Sequence, residues 1–472
     1  MVRLKGIWLN RRIPVDHPAS TGNLAPKQSG YGPPIKGQRN DMASTAAIPR
    51  TETSPRLVLW LLLIVYIFNF IDRQIVNILA EPIARDLNLS DTQIGLMTGI
   101  AFALLYTILG LPIARYSDRP STNRIGLIAV SLTIWSVMTA LCGMAKNFVQ
   151  LLLARVGVGV GEAGCTPAAH SLIADIVPRE KRASALAFYA LGIPIGSLLG
   201  MLIGGQLADR LGWREAFMVV GLPGVLLAVV LVLVLRDPRR GARMIADRAA
   251  KAAPKVLSNK EALTAIFSSR AFVLLLFAGS AASFLSYGKT TWTTIFFQRT
   301  HGMTPGEVGF WFGLWGGIAG IAGTVLGGWL ADRYGATDRR HVMTAPAIGM
   351  AVAAPIAFAA YFATDWRVSL ALLMLPTLLN SLYYGPTYSS VQGLVRPEAR
   401  AVATATLLFC QNLIGLGLGP LFFGMLSDGI KPLAGEESVR YVLYGAAFLG
   451  LIPAYFFWRC SLRLNDELDK HA

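Results

Sequence analysis

The sequence predicts an all-α integral membrane protein with twelve transmembrane helices, arranged as two pseudo-symmetric six-helix bundles. Three observations lead there. Hydrophobic residues are 54% of the 472 and charged residues only 15%, at a mean hydropathy of +0.50, whereas a soluble domain carries about 25% charged residues. Apolar runs of about 20 residues, the length needed to cross a bilayer, recur along nearly the whole chain. A long basic connector, "RDPRRGARMIADRAAKAAPKVLSNKEALTAIFSSR", follows the sixth run and divides the runs six and six.

The runs lie near 57–80, 92–114, 125–145, 147–174, 183–207, 215–235, 271–298, 307–331, 342–363, 367–392, 401–426 and 440–460. They set the expected boundaries. Residues 1–55 form a disordered cytoplasmic extension, 56–236 the first bundle, 237–269 a cytoplasmic connector, 270–462 the second bundle and 463–472 a cytoplasmic tail. The extension is polar and basic, and it lacks the apolar core of a signal segment. Met42 precedes "ASTAAIPRTETSP", so the first 41 residues are read as an upstream extension of the true start. Peptides from residues 1–41 in the native protein would refute that reading. Within the runs, "GIPIGSLLGMLIGG" and "GLGLGP" place small residues where helices pack closely, and Pro where they bend.

A net charge of +16 suggests nucleic acid until its distribution is examined. With the N-terminus in the cytoplasm, 32 of the 43 Lys and Arg fall on the inner side and 8 on the outer side; Arg73, Arg155 and Lys289 lie within runs. That bias is membrane topology, and no nucleic-acid partner is expected. Cys142, Cys165, Cys410 and Cys460 sit in or at the end of apolar segments without CxxC spacing. They predict neither a disulfide nor a metal site, and no cofactor is expected. "VGVGVGEAG" lies inside a run with no strand before it, so helix packing explains it better than a dinucleotide loop. No nucleotide-binding loop or soluble domain supports ATP-driven transport. An enzyme acting on lipids needs a nucleophile with a base or clustered metal ligands; His170, His301 and His341 near the run ends have neither. A sensor or scaffold with a transporter-like fold is the remaining alternative to a transporter.

The interior charges carry the chemistry. In "NFIDRQIVNIL", Asp72 and Arg73 interrupt an apolar run, and each charge there costs roughly 2.5–3.5 kcal/mol on insertion scales. Asp72 is eight residues from the outer end of its run at Ala80, and Arg155 eight from the outer end of the fourth at Asn147. At about 1.5 Å per residue both lie about 12 Å deep, so they can meet. Glu162, seven residues after Arg155, returns to nearly the same face about 10 Å deeper. Arg155 is thus expected to be shared between Asp72 and Glu162. A buried carboxylate beside Arg stays ionised and one without a cation takes a proton, so an Arg that exchanges partners couples proton binding to motion. The alternative is a static ion pair that fixes helix packing. Arg73, about 100° around the helix from Asp72, has no partner nameable from sequence and serves as a gate, a brace or part of the cavity. His170 is read as a packing histidine before a proton-relay member.

The second half offers no interior carboxylate. Its polar cavity candidates are Tyr287, Lys289, Trp292, Asn380, Tyr383, Tyr384, Gln411 and Asn412. Lys289 either attracts an anionic group or snorkels to the outer interface. The aromatic, apolar lining suits a small organic or amphipathic ligand.

Two loops repeat across the halves. "ARYSDRPSTNR" follows the second run and "GGWLADRYGATDRR" the eighth, placing Asp118-Arg119 and Asp332-Arg333 at helix ends. Asp332 at a helix C-terminus needs a cationic partner, and arginines nearby make a latch that breaks when the halves rock. This loop resembles the signature of the major facilitator superfamily, G-x-L-A-D-R-x-G-x-(K/R)-(K/R). The second copy matches through Gly328, Leu330, Asp332, Arg333 and Gly335. The first departs, with Ala114 and Tyr116 at the Gly and Leu positions and Pro120-Ser121-Thr122 in the tail. "GGQLADRLGWREAF", ending at Phe217, resembles the superfamily's turn between its fifth and sixth helices. "NFIDRQ" and "RVGVGVGEAGCTPAAHSLIADIVPREKRASALAFYALGIPIGSLLG" resemble its Spinster branch. The resemblance implies the major facilitator fold and a proton-linked exporter or efflux-type carrier of amphipathic, lysolipid-like molecules, with a proton-sensing role for Asp72, Arg155 and Glu162. It implies alternating access in a bacterial inner membrane, and a monomer that needs only the lipid bilayer, substrate and protons as partners.

Overall fold

The computed structural model describes residues 54–119, 121–238 and 259–468. The expected N-terminal extension, most of the connector and the end of the tail lie outside the described residues.

In the first half, α1 is Pro55–Leu87, α2 Asp91–Thr98, α3 Ile100–Ser117, α4 Arg124–Gly143, α5 Phe148–Glu162, α6 Cys165–Ile176, α7 Arg182–Ala190, α8 Gly192–Leu211 and α9 Trp213–Val234. In the second half, α10 is Asn259–Ser268, α11 Arg270–Arg299, α12 Pro305–Gly335, α13 His341–Phe362, α14 Trp366–Asn380, α15 Tyr384–Gly393 and α16 Arg400–Cys410. A π-helix follows at Gln411–Leu418, then α17 Gly419–Ala434, α18 Ser438–Leu449 and α19 Leu451–Leu468.

Local signals explain the helix ends. Ser90 with Gln93 and Thr304 with Glu307 form capping boxes at the starts of α2 and α12, satisfying backbone N–H groups that a helix start leaves open. Pro55 opens α1 with its φ already helical. Helix α1 continues seven residues beyond the expected end at Ala80. Glu81 and Arg85 pair one turn apart at 2.9 Å, and Glu81 also binds Arg299 at 2.6 Å, so the polar stretch is stabilised as helix.

Among the described residues, eleven helical stretches are long and apolar enough to cross a membrane. Ten coincide with expected runs to within a few residues, apart from the longer α1. The eleventh, Arg400–Glu467, is 68 residues, about 100 Å if straight, against a hydrocarbon core of about 30 Å. It turns back at Gly435–Glu437, where Gly435 takes φ +58°. The outward faces are apolar, with Leu226, Leu233 and Val325 at 71%, 78% and 67% exposure. Such a surface requires lipid around it.

Two clamps set the ends nearer Pro55. Arg124, fully buried, binds Asp175 and Asp237 at 2.6 Å each and donates to the Ser171 carbonyl at 2.9 Å. It ties the start of α4 to α6 and to the residues after α9. Glu467 accepts from Ser269 Oγ at 2.5 Å and from the Ala271 N–H at 3.1 Å, tying α19 to the start of α11.

At the far end of the bundle the two halves meet in a matched pair of caps. Asp428 of α17 accepts from the N–H groups of Asp91 and Thr92 at 3.0 and 2.7 Å, at the start of α2. Asp209 of α8 accepts from the Gly306 N–H at 3.0 Å and Thr304 Oγ1 at 2.7 Å, at the start of α12. Each carboxylate sits on one half and caps a helix on the other, where the dipole favours negative charge. Arg299 adds ion pairs to Glu81 and Asp91 at 2.6 and 2.8 Å. Close packing accompanies the caps. A Cβ at Gly309 would stand 2.2 Å from the Met201 carbonyl oxygen, and one at Gly424 2.3 Å from that of Asp91.

Gly309→Ala is therefore expected to weaken the closed far end by about 1–3 kcal/mol, the usual range for overpacking. Gly316→Ala, whose Cβ would meet nothing, is the control. Accessibility of a cysteine at the far end, labelled in membranes, should rise in the first variant and not in the second.

Candidate functional site

The site lies between the halves. A cavity of about 180 Å³ is lined by Arg73, Asn77, Phe102 and Arg155 of the first half and by Tyr287, Thr291 and Tyr384 of the second. Thr291 Oγ1 donates to Asn77 Oδ1 at 2.8 Å across the interface.

Arg73 Nε binds Glu162 Oε2 at 2.7 Å, with the side chains 13% and 0% exposed. This gives Arg73 the partner that the sequence does not name. The Arg73 guanidinium also stands 5.0 Å from the Phe70 and Phe102 ring centres and 4.5 Å from that of Tyr106, which favours a cation out of water. Arg155 packs 5.4 Å over the same Phe102 ring, and its Nε and Nη1 have no hydrogen-bond partner among the described residues. Asp72 is buried beside Thr139 and Trp135, near the charges of Glu162 and Arg155, and its Oδ1 also lacks a hydrogen-bond partner among the described residues.

The expectation that Arg155 bridges Asp72 and Glu162 is thus corrected: among the described residues it makes an ion pair with neither. Asp72 and Arg155 do lie at matching depth, within range of each other's charge, with Thr139 and Trp135 of α4 beside Asp72. The guanidinium that reaches Glu162 is that of Arg73, the next residue of α1, which points about 100° away from Asp72.

Lys289 lines a second cavity, of about 140 Å³, with Asn380 and Tyr384. Tyr384 borders both cavities. Four expected cavity residues line neither. Trp292 is buried and donates to the Pro420 carbonyl at 2.9 Å, fixing α11 to α17. Tyr383 stacks on Tyr384 at 4.4 Å and contacts Ser283 Oγ at 3.4 Å. Gln411 accepts from Tyr388 at 2.9 Å. Asn412 sits in the π-helix outside both linings. Polarity in an apolar run marks these residues as internally bonded, and most of the bonds hold helices together.

In the loops, Asp118 accepts from Ser171 Oγ at 2.9 Å and Arg119 stands over Tyr116 at 5.7 Å. Asp332 and Arg333 are exposed on the last turns of α12. The loop's tie is made by Asp338, which accepts from the Arg340 N–H at 2.9 Å and from Asn465 at 3.0 Å. The Arg340 N–H and then Asn465 hold its carboxyl below the usual carboxylate range. His170 packs edge-on against Tyr189 at 5.6 Å. Sequence reading misses Phe102, the Arg124 clamp and the far-end caps. A signal existed for the caps, since "GGQLADRLG" and "FFGMLSDGI" both place Leu-x-Asp at the end of matching runs.

A family model described as Major Facilitator Superfamily matches residues 62–420 and 291–468. A protein of Mycolicibacterium smegmatis described as an MFS-type efflux pump is 36% identical over 407 residues, 86% of this chain and 92% of its own length. Protein spinster homolog 1 of Xenopus laevis is 27% identical over 88% of this chain and 82% of its own. The crystal structure of a bacterial homologue of the human lysosomal transporter Spinster, inward-facing and unoccupied, is 30% identical and has a TM-score of 0.79, covering 88% of this chain and 98% of that one. A D-xylose–proton symporter structure shares the fold, with a TM-score of 0.67 at 18% identity.

Breaking a buried ion pair from one side leaves an uncompensated charge and costs about 3–5 kcal/mol. Arg73→Met and Glu162→Leu are each expected to show that loss in detergent unfolding, and the double variant distinctly less than their sum. Additive losses would mean the two are not coupled.

Proposed function

From the premise that this chain belongs to the Major Facilitator Superfamily and is a Spinster-like, multi-pass membrane transporter whose relatives are transporters rather than enzymes, we propose that it is a proton-coupled secondary transporter working by alternating access. The fold reading is twelve crossings, as two pseudo-symmetric bundles of six over residues 56–236 and 270–462. The turn at Gly435 inside the 68-residue stretch supports the twelfth. Both termini lie in the cytoplasm of a bacterial inner membrane, as the Lys and Arg bias favours, and the protein works as a monomer. The capped far end is then the outer end, and this conformation faces inward.

The observation that carries the proposal is the arrangement of two carboxylates and two guanidiniums beside a cavity between the halves, with one ion pair among them. Glu162 has its cation. Asp72 has none bonded to it among the described residues, and such a carboxylate deep in a bundle takes a proton. When the halves rock, a guanidinium that moves to Asp72 releases that proton. Arg155, with unused donors beside the same ring, is placed to do so. The cavity takes a small organic or amphipathic molecule, as a lysolipid-like substrate would require. Arg73, Tyr287 and Tyr384 contact it in the central cavity; Lys289 and Asn380 contact it from the second. Asp118, Arg119, Asp332 and Arg333 belong to loops that reorganise as the inner end closes.

Proteoliposomes with an imposed pH gradient test this against a panel of lysolipids, sphingoid phosphates, organic anions and drugs. Gradient-driven flux of at least one compound is expected, with gradient dependence lost in Asp72→Asn. If Asp72→Asn and Glu162→Gln both leave transport as dependent on the gradient as before, the coupling reading fails. No gradient-driven flux at all would favour a sensor or scaffold.

A further inference from the structure

The interior charges of the two halves do not balance. In the first half Asp72 and Glu162 face Arg73 and Arg155, and their formal charges cancel. In the second half Lys289 is the interior charge among the described residues, and it makes no hydrogen bond or ion pair there. It lies ten residues before Arg299, about 15 Å from the end of α11, while its stem reaches only about 6 Å. Snorkelling to that end is out of range.

Lys289 opens instead on the second cavity, enclosed by α11, α12, α13, α14 and the α18–α19 junction. No Asp or Glu lines it. Hydroxyls and an amide do: Thr290, Thr293, Thr377, Asn380 and Ser381. The Thr290, Thr377 and Ser381 hydroxyls donate to the Ser286, Leu373 and Thr377 carbonyls at 2.8, 2.7 and 2.8 Å, and Thr293 is shared with Tyr361 at 3.0 Å; Asn380 makes no side-chain hydrogen bond among the described residues. The opposite wall is apolar, with Phe312, Met350 and Leu373. One water needs about 10–15 Å³ by this measure of volume, so 140 Å³ is room for a headgroup. Ser286, Thr290 and Tyr384 line both this cavity and the central one, so one molecule can occupy the two together.

We infer that the second cavity is an anion subsite: Lys289, helped by the Asn380 amide, takes a phosphate or carboxylate whose apolar remainder lies along the Phe312, Met350 and Leu373 wall or in the central cavity. The cargo supplies the counter-charge that the second half lacks. This deepens the transporter reading above and rests on it for the word cargo.

Binding of matched-chain probes to the full-length protein in nanodiscs tests it: dodecyl phosphate, dodecyltrimethylammonium, 1-dodecanol and inorganic phosphate alone. Dodecyl phosphate should bind tightest. Lys289→Gln should weaken it by at least about tenfold, the loss expected for one charge-assisted hydrogen bond. Lys289→Arg should keep most of the affinity, and dodecanol binding should not change in either variant. Inorganic phosphate that competes equally, and loses affinity in Lys289→Gln, would identify the source as a free anion at the same subsite. Unchanged dodecyl phosphate binding in a folded, monodisperse Lys289→Gln, or equal binding of the cationic probe, would overturn the inference. Lys289-dependent binding in a protein without gradient-driven flux would keep the subsite and remove the proton-coupled reading.

Discussion

The ion pair between Arg73 and Glu162 is the constraint around which the first half is arranged. A charge inside a bundle must find a partner or give up its ionisation. Glu162 meets Arg73, whose guanidinium is held by three aromatic rings. That choice leaves Asp72 and Arg155 close by and unpaired with one another. Unsatisfied atoms gather here: Asn69 Oδ1, Asp72 Oδ1, Glu162 Oε1 and the Arg155 Nε and Nη1 are buried without hydrogen-bond partners among the described residues. Elsewhere Arg124 is saturated by two carboxylates and a carbonyl. A static brace would resemble Arg124. The incomplete set between the halves is what a site that changes partners requires.

The far-end caps supply the other requirement, a conformation with a defined closed side. Asp209 and Asp428 each hold a helix start on the opposite half, and glycines let the backbones touch beside them. These contacts are polar, few and reversible, so closure is a balance of small terms. Binding of cargo or of a proton in the cavity need contribute only a few kcal/mol to shift it.

Much of the fold was legible because the bilayer enforces long apolar runs. Ten stretches match runs read from the sequence. The far end of α1 was not legible: Glu81, Arg85 and Asp86 look like an end until Arg299, 218 residues away, gives Glu81 its partner. The depth match of Asp72 to Arg155 did bring the two together, though without an ion pair between them among the described residues. The charged residues themselves were identifiable because charge in an apolar run is rare. Their pairing was not, because Asp72 and Arg73 are adjacent on α1 but point about 100° apart, and depth alone does not say which of Arg73 and Arg155 reaches Glu162. Trp292, Tyr383 and Gln411 show the remaining limit: polarity marks a buried hydrogen bond, and geometry alone tells whether it faces a cavity.

The central claim is that Asp72 carries the proton in this conformation while Glu162 stays ionised against Arg73. Infrared difference spectra across a pH titration read protonated carboxyls directly, with Asp72→Asn and Glu162→Gln assigning the bands. With the protein held closed at the far end by a cross-link between α8 and α12, the account predicts a carboxyl band that is absent in Asp72→Asn and retained in Glu162→Gln. A band that survives Asp72→Asn and vanishes in Glu162→Gln would contradict it.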